Sequence, residues 1–297
     1  MSDTGWPATP PRRILLATDL SAQADRALDR AVQLARTWNA ELVALHALER
    51  AEPWEESAPL PSWTNPADAP GRIEQQLRED LGAVGSVHIR VVDQPAAQAI
   101  FDTAAADQCD LIIVGEGRHR PLGGLGATLS ELFRSSPVSV LVAKQRVRGA
   151  YQQLLVGTDF TDEALIGFET AARLFPSARF TLMHAFELPY RSLLADNSLS
   201  RDFQSMERET IDAFVRKAQL PQAVRDTLET LVEHGPPSEM LYRYARDHQT
   251  DLTIIGAYER GRLFHALLGG EGPRILESVT SDILVVRPPT GSNAAQS

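Results

Sequence analysis

Continuous apolar runs alternate with segments of helical spacing along the whole chain. Ile14 to Ala17 is the first run, and from Ala22 to Trp38 apolar residues recur at Ala24, Ala27, Leu28, Ala31, Leu34 and Ala35. That is the 3.6-residue spacing of a helix with one buried face. Next come a strand at 41–48, a helix near 72–81, a strand at 86–92, a helix at 96–107 and a strand at 110–115; then a glycine-rich stretch, a helix at 127–135 and a strand at 138–143. The same order returns from 152–158 to 282–287. Strands that read as unbroken Ile, Leu and Val are buried on both faces, and helices between them predict a parallel, doubly wound sheet with right-handed crossovers. In such sheets ligands sit beyond the carboxyl ends of the strands, so the loops after the first and fourth strands are the places to look for chemistry. Ser21 and Thr161 are placed to cap the first helix of each half.

The two halves are copies. "RRILLATDLSAQADRAL" from Arg12 matches "QQLLVGTDFTDEALIGF" from Gln152, which sets Asp19 over Asp159; "ELVALHALE" matches "RFTLMHAFE", which sets His46 over His184. "VDQPAAQAI" matches "EHGPPSEML", "DLIIVG" matches "DLTIIG", and "SSPVSVLVAK" matches "SVTSDILVVR". Five matches in one order at offsets of 138 to 143 residues mark a duplication. The boundary falls near 146–150, giving a first domain at 11–146, a second at 150–289, and flexible ends at 1–10 and 290–297. The halves differ most after their second strands. Residues 51–70 carry five prolines and two tryptophans, Trp54 and Trp63, and read as a surface excursion or as a lid or docking segment.

Composition narrows the function. A hydrophobic share of 43% with 23% charged residues suits two ordinary globular domains in 297 residues. The net charge of −10 argues against a broad surface for nucleic acid or anionic lipid, so any phosphate must be held locally. With no apolar run near the ~20 residues of a membrane span and no apolar stretch in the opening residues, a cytoplasmic protein is expected, without membrane partners. The single cysteine, Cys109, stands at the mouth of an apolar strand and reads as a buried structural thiol.

No metal-ligand spacing, H-E-x-x-H, Walker A or G-x-S-x-G run occurs, so neither a metal site nor a catalytic set is expected. Asp19 and Asp159 follow the first strands and serve either a ligand or the positive end of the next helix. His46 and His184 close the second strands and read as hydrogen-bonded packing residues. Gly115, Gly117, Gly123, Gly124 and Gly126 lead into the helix at 127, and Gly256, Gly261, Gly269, Gly270 and Gly272 into the helix near 273. Arg118, His119, Arg120, Arg260 and Arg262 add positive charge. Glycine lets backbone approach a phosphate, and a helix N-terminus offers unpaired N–H groups; the same glycines would also suit a tight turn.

Taken together, "ILLATDLS", "LVALHALE", "DLIIVG", the glycine loop and "SPVSVLV", each present twice, resemble the universal stress protein family over nearly the whole chain. The resemblance implies two tandem Rossmann-like (adenine nucleotide alpha hydrolase-like) α/β domains, each a five-stranded parallel sheet. It also implies pairing of "SVLVAK" with "DILVVR" into an intrachain pseudo-dimer, which two chains could extend to a homodimer. ATP-binding members carry G-x-x-G, nine residues, then G followed by Ser or Thr. In the first half Gly115 fits, Arg118 replaces the second glycine, Gly126 is the third, and Ala127 replaces the hydroxyl residue with Thr128 next. In the second half Gly256 and Gly269 fit, Glu259 and Gly270 replace the other two positions, and Gly261 stands near the lost glycine. By position, Asp19 or Asp159 resembles the residue near the adenosine, and Ala47 or Ala185 the contact to the adenine edge. The function so implied is a stress-response factor that binds ATP, with Mg2+, or another adenine nucleotide in at least one half. It would act on an unidentified protein partner, with slow ATP hydrolysis at most. A tandem protein whose loops have lost ATP and serve protein interaction is the alternative.

Overall fold

The alternating apolar runs and helical segments fold into ten strands and the helices between them. The computed structural model describes residues 10–48, 66–82, 84–117, 125–186, 208–257 and 272–287. The first half contains β1 (Arg13–Ala17), α1 (Asp25–Trp38), β2 (Glu41–Ala47), α2 (Ala69–Leu81), β3 (Val87–Val92), α3 (Ala96–Ala106), β4 (Leu111–Gly115), α4 (Ala127–Ser135) and β5 (Ser139–Ala143). The second contains β6 (Gln153–Gly157), α5 (Asp162–Leu174), β7 (Arg179–Phe186), helical residues 208–217 (α6), α7 (Gln222–Thr227), β8 (Glu229–His234), α8 (Pro237–Asp247), β9 (Leu252–Gly256), α9 (Gly272–Ser278) and β10 (Asp282–Val286). Trp54, Trp63 and most of the proline-rich segment, together with 1–9 and 288–297, lie outside the described residues. Pro66–Asp68 form a 3-10 turn into α2, where Pro70 sits in the first turn, a position that needs no N–H.

All ten strands form one sheet in the order β3-β2-β1-β4-β5-β10-β9-β6-β7-β8. Within each half every pairing is parallel, and β5 meets β10 antiparallel through Val142 with Ile283, Leu141 with Leu284 and Val140 with Val285. The intrachain pseudo-dimer read from the sequence is therefore present, and it joins two strands that would otherwise be open edges. An apolar core covers each face of the sheet without a break between halves: Ile14, Leu16, Leu141, Leu154 and Leu284 on one, Leu15, Ile112, Val140, Ile255 and Ile283 on the other.

Polar groups at the seam repeat with the same pseudo-symmetry. The residue that opens each last strand accepts a backbone N–H from just beyond the partner strand. Ser139 Oγ takes Arg287 N–H at 3.0 Å, and Asp282 Oδ1 takes Lys144 and Gln145 N–H at 2.7 and 2.8 Å. Lys144 and Arg287 then reach across the seam to helix C-terminal carbonyls of the other half. Lys144 Nζ donates to Leu276 and Val279 at 2.6 and 2.9 Å, and the Arg287 guanidinium donates to Phe133. Cations at helix C-termini satisfy carbonyls that the helix leaves unpaired.

The caps differ between the halves. Thr161 Oγ1 accepts Ala164 N–H at 3.3 Å and is the N-cap of α5, as expected. Ser21 does not cap α1, whose helix begins at Asp25 after a turn at 22–24 closed by Ala24 N–H donating to Ser21 O at 2.8 Å, with Ser21 Oγ at 3.4 Å. The first turn of α5 carries Asp162 and Glu163, where carboxylates favour the helix; the matching Ala22 and Gln23 lie in the turn ahead of α1, whose own first turn carries Asp25.

Candidate functional site

The turn after the first strand has one shape in both halves. Thr18 Oγ1 accepts Leu20 N–H at 3.0 Å and Asp19 Oδ1 accepts Ser21 N–H at 3.0 Å; Thr158 and Asp159 do the same for Phe160 and Thr161 at 3.0 and 3.2 Å. The residues between, Leu20 and Phe160, hold φ of 57° and 64°. A bulky residue in the left-handed region costs about 1–2 kcal/mol, and such strain gathers at functional turns. His46 and His184 brace the turn from the next strand, their Nδ1 atoms 2.9 and 2.8 Å from the carbonyls of Thr18 and Thr158. A carbonyl only accepts, so Nδ1 carries the proton in both rings. This is the packing role expected of them.

In the first half the turn forms one wall of a cavity of about 450 Å³, within the range that holds small ligands. Asp19, Ala47, Gly115, Gly117, Gly126, Ala127 and Thr128, which come from four separate stretches of sequence, all line it. Leu45, Ile100, Val114 and Leu129 supply apolar surface. The opening turn of α4 faces the same space. Its first intrahelical bond is Ser130 N–H to Gly126 O at 2.9 Å, so the N–H groups of Ala127, Thr128 and Leu129 precede it and have no partner within the helix. Gly126 and Gly117 have open space where a Cβ would stand, and Gly117 takes φ of 82°, a conformation suited to glycine. Arg118 lies outside the described residues.

Gly115 and Gly256 have a different reason to be glycine. A Cβ on Gly115 would stand 3.0 Å from Gln23 O, and one on Gly256 2.3 Å from Glu163 O and 2.8 Å from Ala164 N. Each is where the strand end passes under the start of the first helix of its half; close packing requires the glycine at Gly256 and favours it at Gly115.

In the second half Asp159 stands two residues past β6, Ala185 is the last but one residue of β7 and Gly256 ends β9, all at the carboxyl ends of parallel strands. Gly261, Gly269, Gly270 and Glu259 lie outside the described residues. The surroundings differ from the first half: Phe160 packs on His184 at 4.2 Å between ring centroids, His184 stacks on Phe186 at 5.6 Å, and Phe186 meets His234 at 4.4 Å. Leu20 and Leu48 occupy the matching positions in the first half. Buried Ala257 stands where the first half has Glu116.

Sequence reasoning missed Glu116 and Lys144. Glu116 lines the cavity, and its Oε1 lies 3.2 Å from Lys144 Nζ. Burial pulls the Lys144 ammonium below its ordinary pKa, and Glu116 opposes that shift. The repeated Asp110 and Asp251 were also missed. Each accepts two backbone N–H groups where the first strand of its half begins, Arg12 and Arg13 at 2.7 and 3.0 Å, and Gln152 and Gln153 at 2.7 and 2.9 Å. Their recurrence in "DLIIVG" and "DLTIIG" was the available signal.

Cys109 is 4% exposed, and burial pushes its thiol up to about 12. At pH 8 the thiolate fraction is then roughly one in ten thousand. Iodoacetamide should leave Cys109 unmodified over an hour in native protein and alkylate it fully in urea, read by intact mass; rapid native labelling would contradict the burial. Among the described residues no helix is long and apolar enough to cross a membrane, and no group of three or more His, Cys, Asp or Glu is placed to hold a metal ion.

A family model described as Universal stress protein family matches residues 11–144 and again 150–287. The chain is similar in fold to a putative universal stress protein from Pseudomonas aeruginosa UCBPP-PA14, at 23% identity and a TM-score of 0.65 over 95% of both chains. A functionally unknown protein from Pseudomonas aeruginosa PAO1 is similar at 24% identity and 0.63, over 95% of this chain and 94% of that one. A universal stress protein from Archaeoglobus fulgidus DSM 4304 is similar at 15% and 0.62, over 93% and 98%. No curated protein matches the sequence.

Proposed function

The chain belongs to the universal stress protein family, and on that premise we propose that its first half binds ATP or another adenine nucleotide and that the protein works as a nucleotide-linked binding factor in the cytoplasm. One observation carries the reading: seven sequence-selected residues from four stretches line a single cavity that also receives the opening turn of α4. Apolar walls at Leu45, Ile100 and Val114 suit a base and ribose, and the amides of 127–129 suit a phosphate. Mg2+ would arrive with the nucleotide, held by its phosphates, because a magnesium ion keeps most of its waters and needs few protein ligands.

The competing reading, loops kept only for packing and a protein-interaction role, has its own support. Gly115 is explained by the turn it packs against, and Glu116 brings a carboxylate to the cavity. Calorimetric titration of ATP, with and without Mg2+, and chromatography of nucleotide released from denatured protein separate the two. Neither released nucleotide nor heat at millimolar ATP would sink the nucleotide reading. Gly126→Val assigns the site: its side chain enters open space, so the fold should lose only about 1 kcal/mol from a poorer helix cap. ATP affinity should fall at least about tenfold as the branched side chain blocks the α4 amides.

A further inference from the structure

The cavity belongs to the first half, yet the contacts that hold its edge near the start of α4 run to residues of the second. Glu277 Oε1 accepts Leu125 N–H at 3.2 Å, one residue before the Gly126 cap of α4. On the other side of the loop Glu116 lies 3.2 Å from Lys144 Nζ, whose remaining bonds run to Leu276 and Val279 at the end of α9. The far end of α4 is held as well, Phe133 O accepting from the Arg287 guanidinium. Among the described residues, the contacts at Glu116 and Leu125 thus both lead to the stretch 276–279. α9 itself opens at Gly272, two residues after Gly270 in sequence, so the helix that holds Leu125 and, through Lys144, Glu116 is the one that follows the second-half glycine stretch.

We propose that Glu277, through the Leu125 amide, and Lys144, through Glu116, are positioning residues for the anion-binding end of the first-half cavity, so that affinity there depends on where α9 stands. The affinity consequence rests on the nucleotide reading above; the positioning itself does not. A ligand binds a prearranged set of amides more tightly than one it must first order, and the position of α9 therefore enters its binding free energy.

Glu277 is exposed, so its substitution leaves the core untouched. In Glu277→Gln an acceptor oxygen remains for Leu125 N–H, whereas Glu277→Ala removes it. Amide hydrogen exchange at residues 125–128 of the full chain should quicken about tenfold in Glu277→Ala and stay within about twofold of the parent in Glu277→Gln. ATP affinity, measured by calorimetry on the same proteins, should weaken about tenfold in the alanine variant and be kept by glutamine. Unchanged exchange in the alanine variant overturns the positioning, and faster exchange with unchanged ATP affinity overturns the coupling. A parent protein that binds no ATP removes the nucleotide reading, and the exchange rates still decide the positioning.

Discussion

Asp282→Ala should lower the unfolding free energy by about 3–5 kcal/mol, the cost of leaving a buried ion pair without one partner. Asp282 has no solvent exposure, and its carboxylate meets four groups: the N–H groups of Lys144 and Gln145 at 2.7 and 2.8 Å, Tyr151 Oη at 2.6 Å and Arg30 Nε at 3.1 Å. Arg30 is only 3% exposed and stacks on the Tyr151 ring at 3.9 Å, so the alanine variant would leave a buried guanidinium with neutral acceptors, Gln33 Oε1 and Gly149 O, and no anion. Burial also pushes the Tyr151 hydroxyl well up, keeping it a proton donor to Asp282. Ser139 occupies the same place in the other half and accepts Arg287 N–H through a neutral hydroxyl rather than a buried carboxylate. Ser139→Ala should therefore lose about 1 kcal/mol. Urea unfolding of the two variants checks the contrast; an Asp282→Ala loss near that of Ser139→Ala would show that Arg30 finds compensation elsewhere.

That asymmetry marks the limit of what the chain's pattern discloses. Unbroken runs such as "DLIIVG" and "SVLVAK" placed the strands correctly because burial on both faces leaves no room for polar residues, and burial is written residue by residue. The β5–β10 pairing comes from the family resemblance, and the structure contains it. Asp19 stands out by its place after a strand, Ala47 and the motif place of Gly126 by the family resemblance, and all three line the cavity. The bonds of Asp282 are not local: they join it to Lys144, Tyr151 and Arg30, between 131 and 252 residues away, and nothing near Asp282 in sequence announces a buried cation. Gly115 shows another limit: it lines the cavity and also passes close under the chain, and the 3.0 Å approach of Gln23 O, a packing reason for the glycine, is not visible in the sequence.

The same approach makes Gly256→Ala the more disruptive of the two strand-end substitutions. Its methyl group would lie 2.3 Å from Glu163 O, 2.5 Å from Glu163 C and 2.8 Å from Ala164 N, all main-chain atoms of the first turn of α5. Gly167, one turn on, is already close enough that a Cβ there would stand 3.3 Å from Gly256 Cα, so the helix cannot simply slide along the strand. Thr161 also fixes its start through the bond to Ala164 N–H. Relief requires a backbone shift, and Gly256→Ala should destabilise by about 3 kcal/mol, at the upper end of what overpacking costs. Gly115→Ala meets Gln23 O at 3.0 Å and Ala24 Cα at 3.2 Å, in a turn that lies ahead of its helix, and should lose about 1 kcal/mol. Urea midpoints of the two alanine variants decide it. If Gly256→Ala were as stable as the parent, close packing could not be the reason for that glycine, and a ligand would be the remaining physical reason for it.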